Sequence, residues 1–152
     1  MGFACGLVGL PRVGKSTIFN LMTMDLDERP APASPLEPNR ASVPVPDPRL
    51  HALTAMYNPK REVPARLEVV DIAGVVKGAS EGEGLGNQFL GHIKDVEALV
   101  HVVRCFDNPA VAHVHDDVDP VRDVEEVELE LVFRDVETVQ NKIDRIEKKA
   151  RG

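Results

Sequence analysis

Positive charge is scarce in this chain of 152 residues: 18 lysines and arginines stand against 25 aspartates and glutamates, a net charge of −7. Broad contact with a nucleic acid backbone leans on a lysine and arginine surplus, so that kind of surface is excluded, although a local basic patch is not. Cysteine is nearly absent. Cys5 and Cys105 lie far apart, each inside an apolar run, which excludes a disulfide framework and predicts two reduced, buried core cysteines. No apolar run approaches a membrane span. The N-terminus enters an apolar segment at once, with no charged leader or small-residue cleavage site. These absences predict a soluble cytoplasmic protein with no membrane partner. What is present, 43% hydrophobic and 28% charged residues, is ordinary globular composition at a length that suits one compact domain.

Gly9-Leu10-Pro11-Arg12-Val13-Gly14-Lys15-Ser16 fits the phosphate-loop pattern G-x-x-x-x-G-K-S/T without a gap. Glycines allow the tight turn that points successive N–H groups at one anion, and the helix that follows adds the positive end of its dipole. Lys15 then bridges the β- and γ-phosphates, the Ser16 hydroxyl takes one Mg2+ position, and Thr17 bonds the α-phosphate. The context agrees, because Phe3 to Val8 reads as a strand and Thr17 to Met22 restarts at helical spacing. Gly9, Arg12, Val13, Gly14, Lys15, Ser16 and Thr17 form the predicted nucleotide-binding set.

Residues 25 to 48 hold seven prolines, from Pro30 to Pro48, and predict an extended surface loop with a short edge strand at Ala41 to Val45. By composition alone a plain linker fits equally well. Asp47-Pro48 reads as an N-cap and first helical position, followed by an apolar stripe of Leu50, Leu53 and Met56. Ala65 to Val70 alternates as a strand and ends in Asp71-Ile72-Ala73-Gly74, a D-x-x-G at a strand's carboxyl end. There the aspartate orients Mg2+, usually through water, and the glycine amide reaches the γ-phosphate. The glycine-rich stretch of residues 75 to 91 follows as a mobile loop that orders with triphosphate.

Glu97 to Val103 predicts a strand covered on both faces. Val121, Val124, Val127, Leu131, Val132, Val136, Val139, Ile143 and Ile146 set a long helical pattern, acidic early and basic late. Its four-three spacing fits a packed amphipathic helix and a coiled-coil segment alike. Asn141-Lys142-Ile143-Asp144 spells the guanine-reading N-K-x-D, but it falls inside this helix rather than after a buried strand, and is rejected as a base reader. His113 and His115 beside Asp116, Asp117 and Asp119 lack a third metal ligand at recognisable spacing and read as a solvated loop; His101 reads as a hydrogen-bonded core histidine.

With these residues placed, the chain resembles the N-terminal part of the G domain of the YchF/Obg-like ATPase family, a branch of the translation-factor-class phosphate-loop GTPases. The resemblance rests on the opening MGFACGLVGLP, on EPN (37–39) and VPVPDPRL (43–50), on VDIAGVVKGASEGEGLGNQFL (70–90) and on HVVRCF (101–106). It implies an α/β, P-loop NTPase three-layer sandwich with a mostly parallel sheet, truncated, and ending in a long helix that begins a coiled-coil insertion. Residues 1–119 would be a partial G domain carrying the phosphate loop and both switches, and 120–152 the helix leading into the insertion. The family's base-reading motif and TGS domain would be absent. Family members bind ATP or GTP, hydrolyse it slowly and associate with ribosomes. The family's loop asparagine is Arg12 here, and its switch I threonine is Pro35, beside which Ser34 stands as the substitute hydroxyl for Mg2+.

Two functions are therefore expected. The first is a nucleotide switch whose catalytic positions are Lys15, Gly74 and Val75, the last standing where Ras-like enzymes carry a water-positioning glutamine, so that hydrolysis is slow. The second is a phosphate-binding module with little or no turnover that serves as an interaction piece. Either form is expected to self-associate through the long helix or an open sheet edge.

Overall fold

The computed structural model describes residues 3–24, 38–72 and 91–151. Four strands form one sheet: β1 (Phe3–Val8), β2 (Asn39–Pro44), β3 (Arg66–Asp71) and β4 (Ala98–His101), in the order β2-β3-β1-β4. β1 is parallel to both β3 and β4, and only β2 runs antiparallel, so the sheet is mostly parallel, as expected. The registers Leu7↔Asp71, Val8↔His101 and Asn39↔Asp71 bring the carboxyl ends of β1, β3 and β4 to one edge, where ligands of open α/β sheets bind.

Alternation sends residues to two faces. On one, Cys5 and Leu7 of β1, Ala41 and Val43 of β2 and Val69 of β3 pack on Phe19 of the helix α1 (Lys15–Met22). On the other, Val8, Val70 and Ile72 meet Ile93, within the helical residues 91–94, and Val96 just after them. β4 differs from expectation. It lies at the sheet edge, as an open edge was expected, but it is only four residues long and leaves Leu99 and Val100 exposed rather than covered on both faces.

The helix α2 (Pro48–Tyr57) starts as its sequence dictates: the Asp47 carboxylate accepts from the Arg49 N–H and Pro48 occupies the first turn. It ends at Asn58, whose φ of 44° is the left-handed cap. Its apolar stripe is not core, however. No α2 residue is buried, and Leu53 and Met56 are exposed; Leu50 and His51 border a cleft with Pro46, Glu62 and Pro64, where His51 Nδ1 lies 2.9 Å from Glu62 Oε1.

The helix α3 (Pro120–Ala150) has 31 residues and spans about 46 Å at the standard rise. Asp119 caps it by accepting from the N–H groups of Val121 and Arg122. Its first half docks: Asp123, Val127, Glu130 and Arg134 are buried. Beyond that the seam is bare, with Val136, Val139, Ile143 and Ile146 all exposed, and the N-K-x-D residues 141–144 lie on this exposed helix and not after a strand. No described helix is long and apolar enough to cross a membrane. Cys105 corrects an expectation. Both cysteines are free, but only Cys5 is buried; β4 ends at His101, so Cys105 falls in the loop beyond it.

Candidate phosphate-binding site

Between β1 and α1 the chain turns through three residues of positive φ: Gly9 at 147°, Arg12 at 63° and Gly14 at 109°. Glycine is needed at the first for a second reason. A Cβ on Gly9 would lie 2.3 Å from the Val102 carbonyl oxygen, so the loop's entry presses on the segment after β4. Leu10 and Val13 turn inward and are buried, while Arg12 is exposed. Gly14 caps α1 with no side chain in the way, and its carbonyl accepts the Ile18 N–H at 2.9 Å.

Lys15 is 7% exposed and folds back on its own loop, donating from Nζ to the Gly9 carbonyl at 3.1 Å and the Leu10 carbonyl at 2.9 Å. Burial pushes its ammonium pKa down, an effect that the neighbouring Asp71 carboxylate partly opposes. One residue on, the Ser16 hydroxyl donates to Asp71 Oδ2 at 2.6 Å. These two are 55 positions apart in the chain and meet because the β1–β3 register sets Asp71 level with Leu7. Thr17 is exposed in the first turn of α1. The seven expected residues thus stand together on the loop and the first turn of α1, with Asp71 beside Ser16. Gly74, Val75 and Ser34 lie outside the described residues.

His101 ends β4 next to this loop. It is half-buried rather than fully in the core, which corrects the expected burial. Burial pushes its imidazole pKa down, opposed by Glu128 of α3 and assisted by Lys15. The histidines beyond it are not in a solvated loop either. The His113 side chain is buried with its Nε2 2.9 Å from Asp123 Oδ2, at angles that make no hydrogen bond, and His115 Nε2 lies 2.7 Å from Glu126 Oε2. Both reach α3, whose acidic first turns their spacing along the chain did not reveal. Among the described residues no three His, Cys, Asp or Glu side chains are grouped to hold a metal.

Sequence reading missed Arg104, which is 3% exposed and organises this loop. Its guanidinium donates to the carbonyls of Phe106, Asn108 and Val111 at 3.0, 3.1 and 2.9 Å, and lies over the Phe106 ring. A charged residue directly after an apolar strand was the available signal, since burying it requires such partners.

Arg12 carries a testable cost. A branched-free but bulky side chain at φ 63° is disfavoured by about 1 kcal/mol, and asparagine tolerates that region better. Arg12→Asn is expected to stabilise the chain by about 0.5–1 kcal/mol in urea unfolding. An unchanged or lower midpoint would show that the arginine is held there by contacts that offset its strain.

A strand, a loop turned by positive-φ glycines, a lysine opening the next helix, and a neighbouring strand's aspartate on the loop's serine together define the phosphate-loop class of α/β domains. The family model described as "50S ribosome-binding GTPase" matches residues 4–143, and the chain belongs to that family. It is 51% identical over 153 residues to the ribosome-binding ATPase YchF of Escherichia coli O157:H7, a match covering all of this chain and 42% of that protein. To Obg-like ATPase 1 of Oryza sativa subsp. indica it is 52% identical over 144 residues, covering 94% of this chain and 36% of the relative. The solved YchF GTPase of Schizosaccharomyces pombe superposes with a TM-score of 0.70 at 45% identity, over 97% of this chain and 39% of that one. The chain therefore spans about two fifths of the length of these relatives.

Proposed function

We propose that this chain is the phosphate-binding part of a cytoplasmic, ribosome-associated nucleoside triphosphatase that binds ATP or GTP with Mg2+ and hydrolyses it slowly. The observation that carries this is the meeting of Ser16 and Asp71 beside Lys15, at the strand-end edge of a mostly parallel sheet. Residues 1–119 serve as the nucleotide-binding part and 120–152 as a helical arm. The relatives' names, ribosome-binding ATPase and 50S ribosome-binding GTPase, support the partner.

The donor set fits Mg2+, which prefers hard oxygens: a hydroxyl and a carboxylate already converge. Ser16 would hold the ion directly and Asp71 through water, with Ser34 as a further hydroxyl in place of the missing threonine at Pro35. When bound, the ion would neutralise charge on the β- and γ-phosphates. The chain's own residues do the rest. The backbone of Gly9 to Gly14 binds phosphate oxygens, with Arg12 and Val13 supplying N–H groups. Lys15 leaves its two carbonyls for the β- and γ-oxygens, and Thr17 takes the α-phosphate. The Gly74 N–H meets the γ-phosphate, and Val75 can neither donate to nor accept from a water, so turnover is slow.

Phosphate release from ATP and GTP, with and without Mg2+ and with and without 50S subunits, tests this reading. Slow Mg2+-dependent release, raised or lowered by the subunits, is expected. Binding without release would instead establish the phosphate-binding module, and no binding would overturn both.

Self-association is a further part of the proposal. The bare α3 seam and the open edge of β4 present apolar surface that water disfavours. Sedimentation at high micromolar concentration should show dimers or larger species. A strictly monomeric chain would sink this point.

A further inference from the structure

We propose that Val127 and Leu131 of α3 are positioning residues for the phosphate loop, so that nucleotide occupancy and the docking of the long helix are linked. This rests on the nucleotide-binding reading above.

The only two apolar side chains between Gly9 and Gly14 besides the proline, Leu10 and Val13, form a buried cluster with Val102 after β4 and Val127 of α3, and Leu131 packs on its margin. Val127 is fully buried and Leu10 nearly so. The helix thus forms the floor under the loop whose other side faces the phosphates. The fit has no slack, since Gly9 lies against the Val102 carbonyl too closely to admit a methyl group. A shift of the loop backbone must therefore move the cluster.

Nucleotide binding supplies such a shift. Lys15 Nζ is bonded to the Gly9 and Leu10 carbonyls, and it must release them to reach phosphate oxygens. Leu10 is the residue that both gives up the lysine and touches the helix cluster.

The helix is also poised to respond. On either side of Val127 its docked half buries polar atoms with incomplete bonding: among the described residues Asp123 Oδ2, Glu130 Oε1 and Arg134 Nε have no hydrogen-bond partner, although Asp123 Oδ2 lies 2.9 Å from His113 Nε2. Arg134 Nη2 is 3.4 Å from Glu130 Oε1, and the guanidinium makes its one good bond with Glu137 at 2.9 Å. Buried charged groups whose hydrogen bonding is incomplete oppose docking, while the Val127 contact favours it. An element balanced in this way has a second arrangement within reach, which is what linkage between two sites requires.

Affinity for MgATP and MgGTP, measured on the full chain, tests the link against a matched cavity elsewhere. Val127→Ala is expected to weaken binding at least about fivefold. Val43→Ala, a deletion of the same size in the β2 core at the far end of the sheet from the loop, should stay within about twofold. If Val127→Ala does not fold, Leu131→Ala, which is only partly buried, takes its place. Amide exchange of the parent gives the reciprocal readout: nucleotide should change exchange across residues 123–134, though none of these touches phosphate. Unchanged affinity in both α3 variants with unchanged exchange in the parent overturns the link, as does equal weakening by Val43→Ala. A parent that binds neither nucleotide removes the nucleotide reading itself, and the link with it.

Discussion

Lys15→Ala is expected to lower affinity for ATP and GTP by at least about a hundredfold while leaving the chain folded. The first half follows from charge: two charge-assisted contacts to phosphate oxygens, each contributing about 1.5–3 kcal/mol, disappear from inside a backbone nest. The second half follows from what Lys15 does without a ligand. It is buried, and its pKa is lowered by that burial. A base with a lower pKa folded than unfolded binds fewer protons when folded, so stability rises as pH rises through the folded value, and the charged ammonium opposes folding at neutral pH. Alanine removes that opposition. It also frees the Gly9 and Leu10 carbonyls, whose two bonds partly offset it, so the net change should stay within about 1 kcal/mol. Isothermal titration and urea unfolding on the same preparation separate the two halves. Equal affinity of variant and parent would end the phosphate-loop assignment; an unfolded variant would mean that the lysine is a core residue first.

The phosphate loop was legible because its chemistry is local. Eight consecutive residues carry the turn, the charge and the hydroxyl, and the flanking apolar periods change from strand to helix where the loop requires it. Asp47-Pro48 was legible for the same reason, since an N-cap needs only its own next turn. Asp71 could be placed at a strand end, but its partner could not be named. The Ser16–Asp71 bond depends on the β1–β3 register, which no short pattern encodes. The misreadings share that cause. Leu50, Leu53 and Met56 have the spacing of a buried stripe, yet no residue of α2 is buried. His113 and His115 look solvated beside three aspartates, yet they turn toward Asp123 and Glu126 on a helix that begins after them. Spacing identifies a face; it does not identify what lies against that face.

The glycines show the same limit, and they give the largest expected loss of stability. The pattern G-x-x-x-x-G treats Gly9 and Gly14 alike, and both have positive φ, at 147° and 109°. Their surroundings differ. Around Gly14 a Cβ would meet nothing within 4 Å, so Gly14→Ala carries only the backbone strain of about 1–2 kcal/mol. At Gly9 the same methyl would sit 2.3 Å from the Val102 carbonyl oxygen, a backbone atom that cannot rotate away. Relief would require moving the segment after β4, where Val102 donates its N–H to the Val8 carbonyl at 2.8 Å and packs with Val127 in a closed cluster. Strain and broken packing then add, and Gly9→Ala should cost about 4 kcal/mol or more, enough to leave a marginally stable chain largely unfolded. Thermal or urea unfolding of the two variants side by side checks this. Comparable losses would mean that backbone conformation alone sets both positions, and that the tight approach of Gly9 to Val102 yields at little cost.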